Sequence, residues 1–166
     1  MGRFKYEPSE GQAQYRRTLY AFWRRSIAPT FLFDSAQRRV CEVRPARTNT
    51  PLQALTLLND ATYLEASRSL AESALGAAKD IPGRLEYITR RVLARPPRES
   101  ELAVLTKQLE RALDHYRAHP EDASRWLGAG NAGRAAPPGS TDPADTAAYM
   151  LVASLILNLD EAITHE

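Results

Sequence analysis

Cysteine is almost missing from this chain. Cys41 stands alone among 166 residues, so no intrachain disulfide can form and no multi-cysteine zinc site is possible. A haem-attachment C-x-x-C-H is absent, because Glu42, Val43 and Arg44 follow the cysteine. Long apolar runs are missing too; the longest, near the C-terminus, is too short to span a bilayer. The opening MGRFKYEPSEGQAQYRR has no apolar stretch after its first charges and does not read as a secretory signal. Taken alone, the polypeptide is expected to stay where it is made. No G-x-S-x-G, P-loop or G-x-G-x-x-G pattern occurs. The familiar sequence routes to hydrolase, nucleotide or dinucleotide chemistry are closed.

What is present is a globular composition, 43% hydrophobic and 25% charged, enough for a core without disulfides or metal. The net charge is only +2, but it is unevenly placed. Residues 1–50 carry ten Lys/Arg against four Asp/Glu, and the remainder carries twelve against sixteen. Such a split suggests a basic face for an anionic partner, or one half folding against the other. The second reading is preferred, since one domain can neutralise itself.

The apolar spacing predicts an all-α chain of about six or seven helices. Residues 1–11 read as a tail or linker, and residues 12–166 as a single helical domain. A first helix is expected from Gln12, with Tyr15, Leu19, Phe22, Trp23 and Ile27 on one face and a stop at Ala28-Pro29. Residues 29–50 are expected to form an irregular arginine-rich loop. Thr50 then offers an N-cap, Pro51 a first helical residue and Gln53 the third position of a capping box. Leu52, Ala54, Leu55 and Leu58 are the expected buried stripe. Asn59 would close that short helix in a left-handed conformation, and Asp60 would cap the next, Ala61 to Leu75. Pro82-Gly83 marks a turn before a helix stopped at Arg95-Pro96-Pro97.

Leu102, Leu105, Leu109, Ala112, Leu113 and Tyr116 define the clearest helix. A short one carrying Trp126 follows. Residues 128–144 are read as a flexible insertion. AAYMLVASLIL, apolar nearly all round, is expected to be buried among the other helices.

Chemistry-bearing residues are few. His115 and His119 stand four apart, but Tyr116 occupies the place of a zincin's glutamate, and a polar helix end explains them. Cys41 has no histidine in its segment and reads as a small inert residue. The carboxylate pairs Glu99/Glu101 and Asp160/Glu161 are assigned to solvation or capping. Arg38, Arg39, Arg44 and Arg47 precede a helix N-terminus, where an anion site is physically reasonable. Internal pairing that fixes the loop is the preferred explanation. No catalytic, cofactor-binding or metal-binding residue is therefore expected.

One resemblance sets the context. The segment from Tyr15 to Glu72, with RTNTPLQALTLLND inside it, resembles the C-terminal domain of planctomycete proteins of unknown function. Those are long extracytoplasmic proteins that often carry a cytochrome c domain. LARPPRESEL at residues 93–102 and LVASLILNLDEAITHE at 151–166 extend the resemblance over nearly the whole chain. It implies that the chain is the tail of a longer architecture, extracytoplasmic or periplasmic in that setting. Two departures are Ala61, where proline commonly follows LLND, and Arg98, where a small capping residue is usual. The expected function is a non-catalytic helical packing or interaction domain. Its expected partners are other domains of the parent protein or a separate protein, with no membrane span. Two other readings stay open. One is an accessory part of an enzyme, for instance polysaccharide-degrading, whose arginine loop binds an anionic substrate. The other is a nucleic-acid-binding module using the basic first third, and it is weaker because the aromatics there fall on an apolar face.

Overall fold

The structure, a computed structural model, describes residues 51–129 and 142–163. These lie within the compact unit Thr48–Glu166. The expected tail, first helix, arginine-rich loop and Thr50 cap fall outside the described residues, as does most of the expected insertion. Among the described residues there are seven helices and no strand, an all-α architecture.

The chain enters through α1 (Pro51–Asn59) and turns directly into α2 (Ala61–Ala77). The junction works without a left-handed residue, contrary to the expectation for Asn59. Among the described non-glycine residues only Ala94 has a positive φ. Asn59 remains helical, and its side-chain Nδ2 donates to Leu55 O at 2.7 Å. Asp60 supplies the break instead. Its backbone is extended, at φ −69° and ψ 132°, and its Oδ1 accepts from the Thr62 N–H at 2.9 Å. That satisfies one of the donors left open at a helix start. The stripe of α1 also differs from the expected one. Leu57 is buried while Leu55 is 57% exposed, because a helix this short is phased by what it packs on and not by its own leucines.

Asp80 caps α3 (Ile81–Leu93), with Pro82 in its first turn. The expected turn at Pro82-Gly83 is thus the helix start itself. Proline loses nothing there, since the first N–H groups of a helix have no intrahelical partner. Glycine is needed beside it. Asp80 Oδ2 accepts from the Gly83 N–H at 3.0 Å, and a Cβ at residue 83 would stand 3.0 Å from Asp80 Oδ1. The helix ends at Leu93, two residues before the expected proline stop, with Ala94 in the left-handed region at φ 56°.

The longest described helix, α4 (Glu99–Ala118), buries Leu109, Ala112 and Tyr116 on the face that the spacing predicts. His119 then joins it to α5 (Pro120–Gly128). Gly128, Pro143 and Ala144 are helical and trim the expected insertion at both edges.

The core forms around α6 (Pro143–Leu157), capped by Asp142 Oδ1 on the Ala144 N–H at 3.0 Å. It packs chiefly against α2, α4 and α5, and also touches α1, α3 and α7 (Asp160–Ile163). Ala147, Ala148, Met150, Val152 and Ala153 have no exposed surface. Small residues let the neighbouring helices approach closely, while Met150, Val152 and Ile156 fill the gaps between them. Each fully buried large aliphatic side chain stabilises by about 1.5–3 kcal/mol relative to exposure. No helix of the described residues is long and apolar enough to cross a membrane.

Candidate functional site

The turn between α3 and α4 builds the most connected polar cluster among the described residues. Ala94 reverses the chain, two prolines stiffen it, and Arg98 begins α4. Arginine has no acceptor, so its side chain cannot cap the helix. Half of a capping box survives, with Glu101 Oε2 accepting from the Arg98 N–H at 2.8 Å. Glutamate at this position also meets the positive end of the helix dipole.

Arg95 stands in front of that carboxylate. Its Nη1 and Nη2 donate to Glu101 Oε2 and Oε1 at 2.8 and 2.9 Å. Its Nε and Nη2 donate to Glu161 Oε1 and Oε2 at 2.6 and 2.7 Å. The Pro96 carbonyl takes the remaining Nη1 hydrogen at 3.2 Å. A guanidinium has five N–H groups, and here each has an acceptor. Two forked carboxylates on one arginine are a geometry that lysine cannot reproduce.

The electrostatic consequences follow directly. The hydrogen bonds from Arg95 and then from the Arg98 N–H hold the Glu101 carboxyl down at about 2. Arg95 likewise lowers Glu161, and the two carboxylates raise Arg95 above its ordinary value, Glu161 contributing most. The cluster is only partly covered, with the Arg95 side chain 27% exposed and Glu161 50%, so solvent weakens each pair. Its role is positional: it ties α7 to the start of α4.

Beside the cluster runs an apolar groove of about 350 Å³, open to solvent. Leu93, Leu105 and Ile156 come from α3, α4 and α6, while Val104 and Leu159 line it from α4 and the α6–α7 link. Val104 is 59% and Leu159 45% exposed. Its polar lining groups are largely committed elsewhere. The Thr89 hydroxyl donates to Leu85 O at 2.9 Å and Glu101 faces Arg95, while Ser100 adds a hydroxyl to the lining.

The sequence-selected residues distribute as follows. Arg38, Arg39, Arg44 and Arg47 lie outside the described residues, with Cys41 and Thr50. Gln53 is in α1, its side chain likewise outside the description. Asp60 caps α2, whereas Asn59 stays within α1 with its side chain on Leu55 O. His115 and His119 stack at 4.8 Å, with His115 Nε2 3.3 Å from Asp122 Oδ2. No group of three or more metal-ligating side chains occurs among the described residues.

Sequence reasoning missed the Arg95 cluster and the groove. Glu101 was legible as the third residue of α4, and LARPPRESEL marked the turn. Nothing in the sequence pairs Arg95 with a glutamate 66 positions away.

Residues 2–109 match the family model of PSD1, a protein of unknown function (DUF1553), the match ending inside α4. No curated protein matches the chain, and no solved structure does.

Proposed function

The chain belongs to the PSD1 family of unknown function, and we propose that it serves as a non-catalytic helical packing or interaction domain, the C-terminal part of a larger planctomycete-type multidomain protein. The observation that carries this reading is the groove. Two aliphatic side chains that line it, Val104 and Leu159, stand half out of water. Single exposed aliphatics need no explanation, but ones gathered along a concave apolar surface are the usual mark of an interaction site.

The charged groups nearby support the same reading. Arg95, Glu101 and Glu161 are engaged with one another and hold the edge of the groove in place. The resemblance to cytochrome-c-associated extracytoplasmic proteins supplies the setting, in which neighbouring domains of the parent are the natural occupants.

The test is Val104→Asp in the protein as its own cells make it. The substitution sits on an exposed helix position, so the isolated chain should melt within about 0.5 kcal/mol of the unmodified one. The assembly containing it should fall apart or melt lower. An assembly indifferent to the charge would contradict the proposal.

A further inference from the structure

Resting on the reading of the groove as a packing surface, we infer that α7 is an ionic strap on that groove. The fork of Arg95 on Glu161 holds Leu159 in place as one wall, and its release opens the groove. The connection starts in the backbone. Leu159 is tied into the turn of α7, because its carbonyl accepts from the Ala162 N–H at 2.9 Å. Its side chain lines the groove. A movement of α7 therefore carries a wall of the groove with it. Ile156 lines the same groove but belongs to α6 and is 1% exposed, so it stays behind and gains access to water. The joint between them is Asn158. Its N–H is shared by the Ser154 and Leu155 carbonyls at 3.2 Å, which closes α6. Its Oδ1 is buried with no hydrogen-bond partner among the described residues. Opening the joint lets water reach that oxygen, which lowers the cost of release.

Little hydrocarbon opposes the release. Helix α7 has no buried residue, and it touches α3 and α6 from outside the core. The polar hold is the fork from Arg95 Nε and Nη2 to Glu161 at 2.6 and 2.7 Å. The two forks on Arg95 differ in setting. Glu101 is 34% exposed and also accepts from the Arg98 N–H, whereas Glu161 is 50% exposed. The fork on Glu161 is accordingly the one that salt weakens first. Once it parts, Arg95 remains seated on Glu101 at 2.8 and 2.9 Å, aimed for the strap to close again.

Methyl NMR of the full chain, with Nile red as an uncharged apolar probe, tests this. Between about 0.01 and 1 M salt the Debye length falls from roughly 30 to 3 Å. Over that range the Leu159 methyl resonances should shift toward their unfolded positions, with Ile156 and Leu105 shifting beside them. Nile red emission should rise in parallel, while the core methyls of Leu85 and Val152 stay in place. Glu161→Gln at low salt should reproduce the high-salt spectrum, and adding Val104→Asp should remove the gain in emission. Glu86→Gln, which breaks a similarly exposed pair on α3, should do none of this. The inference is overturned if the Leu159 methyls stay fixed while the α7 amides exchange freely. It is also overturned if Glu161→Gln leaves the groove methyls and the emission unchanged, if Glu86→Gln acts alike, or if the core methyls move too. Its failure is separable from that of the packing reading. If the strap ignores salt and Glu161→Gln while the natural assembly still depends on Val104, only the gating is wrong. A strap that opens in a chain whose assembly ignores Val104→Asp keeps the gating and removes the packing reading.

Discussion

Helices α6 and α7 follow one another with two residues between them, yet they are held by opposite means. Every turn of α6 is covered by neighbours, and its stability comes from removing hydrocarbon from water. The four residues of α7 include none that is buried. A helix so short has no stability of its own, and here one guanidinium bridges it to the start of α4. The first arrangement makes a core that is hard to change without unfolding. The second makes a surface that can be altered while the fold remains, and the groove lies along that seam.

Met150→Ala should give the largest effect. The side chain has no exposed surface, so its removal leaves a cavity and costs about 2–5 kcal/mol, read as a shift of the denaturation midpoint. Asp142→Ala removes the cap from the same helix and should cost about 1 kcal/mol. A loss from Asp142→Ala as large as that from Met150→Ala would mean that capping, not burial, holds α6.

Arg95→Ala should move global stability less than either, because the pairs it breaks are partly hydrated. Its effect should instead be local: amide hydrogen exchange in α7 speeds up while that of α6 stays slow. Unchanged protection of α7 would show that the clamp does not hold it. Acid adds a related test with a definite sign. The folded Glu101 carboxyl sits at about 2, below its ordinary 4.5. Its contribution is therefore complete above about pH 4.5 and fades as the pH falls toward 2. Glu101→Gln should remove that part of the acid sensitivity; a variant with the same acid profile as the unmodified protein would contradict the assignment.

The contrast also explains what the sequence disclosed. The inward face of α4 was legible because periodicity over several turns averages out local accidents, and the burial of α6 because its apolar run leaves no polar face. In α1 the same logic misplaced the stripe, with Leu57 inside and Leu55 outside, since two turns cannot set a phase. Pro82-Gly83 read as a turn because both residues break helix interiors. Their harmlessness in a first turn depends on Asp80 reaching Gly83. The stop at Ala94 carried no glycine to announce it. At the candidate site, Glu101 was visible and its setting was not. The groove exists only once α3, α4 and α6 have packed, and Arg95 meets Glu161 through tertiary structure alone. Asp60 caps α2 as the local sequence suggests, and the arginines at 38, 39, 44 and 47 lie outside the described residues.

The most direct measurement places a photo-activated cross-linking amino acid at Val104, and at Glu110 on the exposed face of the same helix, in the protein within its own cells. A domain that works by packing through the groove predicts a discrete protein adduct from position 104 and little from position 110. Equal, diffuse labelling from both positions, or none from either, would contradict it.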